Sequence, residues 1–354
     1  MSQDKRNLLI IFGGISPEHE VSCYSAASVL RQLDPAKYNV LTVGIRKDGS
    51  WLLTGADPEQ IESGEWDTAR GCKPAVLSPD RVVHGLQAGR KTIPVDVVFP
   101  VLHGEGGEDG KIQGLLEMAG IPYVGCGPAA SVCGMDKTLT KLIVSRLGIR
   151  QAKHLELDSR DLRDSHDKEW QRITMRFHGV YPLFVKPART GSSVGVSKVS
   201  SDEELERGLR LAAAEDSKIL IEEAIVGREM EVAVLGNHKP EASPIGEILP
   251  AAEFYDYDSK YGNDQTQTVL VTDLPPTREC EMKDAALNIY RSLGCRGLAR
   301  VDFFLAENGD VVFNEINTMP GFTGDSMYPQ LWEAAGIEYP DLLDRLIELA
   351  LEEE

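Results

Sequence analysis

The stretch from Arg300 to Asn317 constrains the fold of this chain more than any other. It reads Arg-Val-Asp-Phe-Phe-Leu-Ala-Glu-Asn-Gly-Asp-Val-Val-Phe-Asn-Glu-Ile-Asn, two apolar runs on either side of Asn308-Gly309. That pair is a strong short-range signal for a β-hairpin. A two-residue turn there sets Glu307 opposite Asp310, and counting outward puts Asp302 opposite Glu315 and Arg300 opposite Asn317. Alternation of side chains places all four on one face. Two carboxylates directly across a ladder sit about 4.5–5.5 Å apart and repel. A cation between them removes the conflict. Oxygen donors from Asp, Glu and Asn suit Mg²⁺, which takes few protein ligands and fills its shell with phosphate oxygens and water. A solvated outer face of an edge hairpin is the plainer reading. Arg300 weighs against it, because a nearby cation suits a transferring phosphoryl group.

A chain of 354 residues is too long for one average domain and predicts two or three. The formal charge of −19 argues against a nucleic-acid or anionic-membrane surface, so any phosphate site must be built locally from placed Lys, Arg and backbone N–H groups. No apolar run approaches the roughly 20 residues of a spanning helix. The N-terminus reads Met-Ser-Gln-Asp-Lys-Arg, unlike a signal peptide, and the six cysteines are scattered without metal-like spacing. These features predict a cytoplasmic protein with reduced thiols and neither a nucleic-acid nor a membrane partner.

The first part alternates in the βα manner, with strands at 7–14, 38–45 and 95–102 and a helix at 21–33, which predicts a parallel sheet with ligands at the carboxyl ends of its strands. Two loops leave such ends: Gly13-Gly-Ile-Ser-Pro-Glu18-His19-Glu and His103-Gly-Glu-Gly-Gly-Glu-Asp-Gly110. Both should face one crevice, where neutral His19 and His103 can meet a substrate carboxylate. The second part carries helices at 136–147 and 201–215 and strands at 183–187 and 218–223. The polar stretch 150–179 reads as a connector with a short helix. The third part is strand-rich and ends in a helix from Pro340. The predicted units are therefore 1–127, 128–226 and 227–354.

Lys186-Pro-Ala-Arg-Thr-Gly191-Ser192-Ser193-Val194-Gly195 is a strand ending in Lys and followed by a Gly/Ser loop. Such a loop lets successive N–H groups form an anion nest, with Lys186 as a point charge. It is not a Walker A loop, because the Lys precedes the glycines and a strand follows. Taken alone, a flexible turn explains it equally well. Lys137 opens a helix, where the dipole favours anions, although a lone helical Lys is usually solvated. Leu220-Ile-Glu222-Glu223-Ala-Ile225 through Glu229 leads from a strand into a turn, a junction that suits a nucleotide or a plain hinge. Phe254 to Tyr261 is polar-aromatic and reads as a surface loop able to fold over a ligand. Ser326 precedes a helix, either to bind a carboxylate at its N-terminus or as an ordinary N-cap.

Together these motifs resemble the D-alanine–D-alanine ligase family of the ATP-grasp superfamily. The resemblance spans essentially the whole chain: residues 13–22, 103–110, 135–137, 186–195, 255–261 and 314–323 match in order. It implies a three-domain α/β architecture, with a Rossmann-like N-terminal domain and ATP held between central and C-terminal α+β domains. It implies that Asp302, Glu315 and Asn317 hold two Mg²⁺ ions, with Mn²⁺ as a substitute. Lys137, Lys186, Ser193, Val194 and Gly195 belong to the phosphates of ATP, and Glu222, Glu223, Ile225, Glu229 and Phe304 to its adenosine. Glu18, Ser192 and Tyr261 orient the first D-alanine and His103 its carboxylate. Arg300 and the Gly321 N–H stabilise the tetrahedral oxyanion, while Lys260, Ser326 and Met327 receive the second substrate. A homodimer is also implied. Related ligases make D-alanyl-D-lactate or D-alanyl-D-serine, and Tyr261 with Ser326-Met327 resembles the dipeptide-forming pattern.

Two other readings compete. Another amino-acid ligase of the same superfamily would keep the ATP chemistry and lose the substrate residues Glu18, His103, Tyr261 and Ser326. A nucleotide-binding sensor without catalysis would show a broken Asp302/Glu315/Asn317 set or lack Arg300. The chain retains all of them.

Overall fold

The protein builds three sheets in chain order. Its structure, a computed structural model, describes residues 5–249 and 267–352. The first sheet contains β1 (Arg6–Gly13), β2 (Tyr38–Ile45), β3 (Trp51–Thr54), β4 (Lys73–Leu77), β5 (Gly85–Ala88), β6 (Lys91–Pro94) and β7 (Val97–Pro100), in the order β6-β5-β4-β3-β2-β1-β7. Only β1, β2 and β7 run parallel; the pairs from β2 outward to β6 are antiparallel. The predicted parallel sheet is thus three strands of a seven-stranded one. A crossover helix, His19–Gln32, joins β1 to β2, whereas short links such as Gly89-Arg90 between β5 and β6 can join only antiparallel neighbours.

The central sheet is antiparallel: β8 (His154–Asp158), β9 (Leu183–Pro187), β10 (Ser197–Val199) and β11 (Lys218–Glu223), in the order β10-β9-β11-β8. The stretch read as a connector therefore contributes edge strand β8 and the helix His166–Phe177. The polarity of the stretch conceals the strand, whereas the expected helix is present and spans 12 residues. Leu157 is the one fully buried residue of β8, and the helix buries only Glu169, Ile173 and Phe177, a narrow i, i+4, i+8 stripe. Those apolar residues join Leu205, Leu209 and Ala212 of the helix Asp202–Glu215 in one core.

The third sheet, in the order β14-β13-β12-β15-β16, contains β12 (Gly227–Leu235), β13 (Glu241–Leu249), β14 (Gln267–Leu270), β15 (Leu298–Ala306) and β16 (Val311–Asn317). Strand alternation divides its faces. Met230, Val232, Val234, Ala299, Val301 and Phe303 bury against the helix Pro276–Leu293 and share their core with Ala130 and Val144. Glu229, Glu231, Arg300, Asp302 and Phe304 take the opposite face by period-two alternation. The last helix, Tyr339–Leu351, returns to the first sheet, packing Leu342, Leu343, Leu346 and Ile347 in one cluster with Leu8, Ile10 and Phe99. Tyr38 fixes that return by donating to Asp344 at 2.7 Å. Among the described residues no helix is long and apolar enough to cross a membrane, and the six cysteines are free thiols.

Candidate active site

The hairpin has the register expected at its functional end, reached by a different route. Arg300 pairs with Asn317 and Asp302 with Glu315, yet Leu305 pairs with Val311, one residue out of step. The turn holds three residues, not two: Gly309 N–H donates to Ala306 O at 2.8 Å, Ala306 N–H donates to Asp310 O at 2.9 Å, and Gly309 is left-handed at φ 82°. A bulge then restores the count, since Phe303 faces Phe313 while Asp302 faces Glu315, leaving Asn314 as the extra residue.

On this face Arg300 grips Asp302 with two hydrogen bonds of 2.8 Å, and its Nε lies 3.1 Å from Glu231 Oε2. Burial disfavours the guanidinium charge, but Asp302 and Glu231 outweigh burial and hold the arginine protonated. Asn317 Nδ2 also donates to Asp302, at 2.9 Å. Glu231, which no motif marked, faces Asp302 across β12 and β15. Its spacing of two from Glu229 was the available signal.

A second group of charges lies between the central sheet and the helix Lys137–Arg146. Asp136 caps that helix by accepting from Thr138 and Leu139 N–H, and Lys218 holds Asp136 at 2.7 Å. Lys137 Nζ donates to Thr190 O at 2.8 Å and lies 3.5 Å from Glu315 Oε2, tying the Gly/Ser loop to the hairpin. Lys186 on β9 is diagonal to Glu222 on β11 and forms an ion pair with it. Lys141, unmarked in the sequence, reaches the other carboxylate oxygen of Glu222 at 2.5 Å. Burial alone would drive Glu222 up; Lys141 and Lys186 outweigh it and hold the carboxyl at about 2. Glu223 instead turns onto the backbone, accepting from Lys153 N–H at 2.8 Å. Ile225 is half-buried beyond it, and Glu229 faces Phe304 across the ladder. Ser192 and Ser193 hold left-handed conformations at φ 48° and 60°, a strain typical of functional loops, within the turn that runs through Val194 to Gly195.

The third group sits where the N-terminal loops meet that turn. Ser16 Oγ accepts from Glu18 N–H and donates to His103 O, so β1 and β7 deliver their loops side by side. Ser192 Oγ donates to Glu18 Oε1, linking the first and central units. Two glycines make room: a Cβ on Gly104 would lie 2.4 Å from Glu18 Oε2 and one on Gly191 2.9 Å from it. Glu108, also unmarked, accepts from Gly104 N–H at 2.8 Å and Met319 N–H at 3.3 Å. Burial and the neighbouring Glu18 push its carboxyl up to about 8, with the two N–H groups and Arg300 opposing. The doubled Gly-Glu pattern at 104–108 was the signal.

Within the protein both ring nitrogens of His103 are engaged. Its Nδ1 lies 3.1 Å from Met319 O, which can only accept, so Nδ1 carries the proton and Nε2 accepts from Ser25 Oγ at 3.0 Å. Burial lowers its pKa, against the pull of Glu18, and keeps it neutral. The ring thus fastens the N-terminal unit to the 319–322 segment, and Phe322 N–H completes the link by donating to Ser25 Oγ at 3.3 Å. His19 likewise uses Nδ1 on Gly14 O at 2.7 Å. In the following segment Gly321 lies against Ser326, where a Cβ would come 2.9 Å from Oγ. Ser326 makes no side-chain cap bond; it accepts from Thr323 N–H at 3.0 Å. The Met327 side chain is buried at Gly246 of β13. Lys260 and Tyr261, with the rest of the 254–261 loop, lie outside the described residues.

The donor chemistry of Asp302, Glu315 and Asn317 fits a hard divalent cation: two carboxylates and a carboxamide on one face, with Glu315 beside the Gly/Ser loop through Lys137. Among the described residues no three His, Cys, Asp or Glu side chains converge on a metal position, so Asn317 is needed to complete the set. A cavity of about 780 Å³ lined by Arg31, Tyr38, Leu53, Arg70 and Lys73 shares no residue with these groups.

Two family models match the chain: D-ala D-ala ligase N-terminus over residues 7–126 and D-ala D-ala ligase C-terminus over residues 143–348. The chain is 47% identical to a D-alanine–D-alanine ligase of Acetivibrio thermocellus, with 99% of this chain and 96% of that one covered. It is 45% identical to another from Ruminiclostridium cellulolyticum, covering 98% and 96%. Among solved structures, the VanG D-Ala:D-Ser ligase from Enterococcus faecalis superposes with a TM-score of 0.90 at 37% identity, covering 98% of this chain and 100% of that one. The D-alanine–D-alanine ligase from Coxiella burnetii gives 0.86 at 36%, covering 99% and 94%.

Proposed function

The chain belongs to the D-alanine–D-alanine ligase family, and from that premise we propose how its own residues divide the work of joining two D-alanines with ATP to give D-alanyl-D-alanine, ADP and phosphate for peptidoglycan. The observation that carries the division is the contact between Ser192 and Glu18, which brings the loop beside the phosphates to the loop beside the amino acid.

In the first step the carboxylate of one D-alanine attacks the γ-phosphorus, the bond to the bridging oxygen breaks, and ADP leaves. Glu18 takes the ammonium of that substrate, and Ser192 and Tyr261 orient it. His103 acts from behind, fixing the 319–322 segment. Lys137, Lys186 and the N–H groups of Ser193, Val194 and Gly195 receive the phosphates, and Glu222, Glu223, Ile225, Glu229 and Phe304 surround the adenosine. Asp302, Glu315 and Asn317 would hold Mg²⁺, two ions per site, with Mn²⁺ as a substitute; when bound, such ions neutralise the triphosphate. In the second step the deprotonated amine of the second D-alanine attacks the acyl carbonyl, and the tetrahedral species expels phosphate. Arg300 and the Gly321 N–H face the oxyanion, while Lys260, Ser326 and the backbone at Met327 receive the second carboxylate. No protein nucleophile is required; positioning and charge neutralisation suffice.

Units 1–127, 128–226 and 227–354 serve the first amino acid, the ATP and the metal with the second amino acid. A cytoplasmic homodimer is the form we assign to the enzyme. The likeness to a D-Ala:D-Ser ligase keeps D-serine as a second acceptor to be tested. The test is phosphate release from Mg·ATP with D-alanine, L-alanine, D-alanine plus D-serine or D-lactate, or no amino acid, with products identified by mass. Release with D-alanine alone, yielding the dipeptide, is expected. Release only when D-serine or D-lactate is added would reassign the acceptor, and no release with any of them would overturn the reading.

A further inference from the structure

Lys141 is among the largest fully buried side chains of the protein, 2% exposed, and nothing in the division above uses it. A buried lysine persists only where a fixed anion compensates it. Its anion is Glu222, whose two oxygens are divided between Lys141 and Lys186. Lys137 and Lys141 lie one helical turn apart on the helix Lys137–Arg146 and so share a face, one reaching Glu315 and the Gly/Ser loop, the other Glu222. Two lysines on one carboxylate exceed what its charge requires. The excess has a use if Lys186 is to leave.

We infer that Lys141 is a positioning residue that keeps Glu222 charged and in place when Lys186 turns to the phosphates of ATP, and so sets the preference for adenine over guanine. The inference rests on the assignment of Glu222 to the adenine end of the site. An ionised carboxylate only accepts hydrogen bonds. It therefore welcomes the exocyclic amino group of adenine and repels the carbonyl oxygen that guanine presents at the same position. Without Lys141, Lys186 is the one ion-pair partner left to this buried anion among the described residues. It must then stay on Glu222 at the expense of the phosphates, or leave Glu222 to take up a proton and donate to guanine.

The test is steady-state kinetics of the full-length enzyme with ATP and GTP, comparing wild type, Lys141→Met and Glu222→Gln. For Lys141→Met the expected result is a KM for ATP raised about tenfold and an ATP-over-GTP ratio of kcat/KM lowered at least fivefold. Its KM for D-alanine and its kcat should stay within twofold. Lys141→Gln, which keeps an N–H donor to Glu222 but no charge, makes the same measurement if Lys141→Met does not fold. A lowered melting temperature with unchanged nucleotide kinetics would leave Lys141 a purely structural residue and overturn the inference. Should Glu222→Gln shift the ATP-over-GTP ratio while both Lys141 variants do not, the inference fails and the adenine assignment stands. If Glu222→Gln shifts nothing, the adenine assignment fails and takes the inference with it.

Discussion

Two acidic pairs of the candidate site, Asp302 with Glu315 and Glu18 with Glu108, are relieved differently by the fold. Asp302 and Glu315 face each other across a β-ladder with fixed cations in attendance, Arg300 bidentate on Asp302 and Lys137 at 3.5 Å from Glu315. Glu18 and Glu108 meet between two loops with a serine and backbone N–H groups as their hydrogen-bond partners, and there a proton does what the cations do elsewhere: Glu108 is pushed up to about 8. Glu222 shows that burial is not the deciding factor, because this carboxyl, more deeply buried than the half-buried Glu108, sits at about 2 between two lysines. The sign of the nearest charges decides, and it fits each group to its neighbour. Fixed cations attend the first pair, whereas at the second the raised carboxyl of Glu108 lowers the repulsion on its neighbour Glu18.

The largest expected effect comes from removing the cation-relieved pair. Asp302→Asn with Glu315→Gln should lower Mg²⁺-dependent turnover by at least about 10³-fold, the scale set by loss of preorganised charge stabilisation. The far-UV circular dichroism should stay that of the wild type, because Glu231 still faces Arg300 and the hairpin keeps its pairing. Wild-type turnover across a magnesium titration would take these residues out of the metal site.

A middle-sized effect is expected where the proton-relieved pair is crowded. Gly104 is left-handed at φ 68°, and a Cβ there would lie 2.4 Å from Glu18 Oε2. Gly104→Ala should reduce kcat/KM for D-alanine roughly 100-fold by displacing Glu18, and leave KM for ATP unchanged. Equal losses in both substrates would show that the two ends of the site are not separable. Gly191→Ala, with a contact of 2.9 Å, should do the same more weakly.

The smallest effect is one of pH. Glu108 titrates near 8 when folded, against an ordinary value of 4.5, so between those limits the folded state holds a proton that the unfolded chain has released. The stability this group contributes therefore falls as pH rises from about 4.5 to 8. Glu108→Gln cannot titrate. Its melting temperature should gain about 2–4 °C on wild type between pH 5 and pH 8. A difference between the two proteins that stays constant over that range would show that Glu108 is ionised throughout. Glu222 has the opposite sign: its contribution is present above about 4.5 and is lost as pH falls towards 2.

The hairpin shows how far a sequence reading reaches. Asn308-Gly309 marked the turn, and alternation placed Arg300, Asp302, Glu315 and Asn317 on one face. The turn holds one residue more than the Asn-Gly pair predicts, and the bulge at Asn314 restores the register. No rule of local propensity announces such a bulge, since its cause is pairing on both sides of the strand. Likewise 150–179 reads as a connector with a short helix: the helix is there, but an edge strand with one buried leucine carries too little periodic signal to be seen beside it.

By itself the sequence determined which segments are candidates for chemistry, because glycine loops, turn pairs and alternating acids are local patterns whose physics is complete within a few residues. It also settled the family, since six such patterns recur in order. Only the tertiary structure decided which charges meet. Lys141, Glu108 and Glu231 are ordinary residues in the sequence; they become part of the site because Glu222, Glu18 and Arg300 come to them from distant positions. Conversely, His103 and Met327 occupy motif positions, yet their side chains are engaged in holding the fold together. The reason is that electrostatic and desolvation energies depend on distance and burial in space, and neither quantity exists along the chain until it has folded.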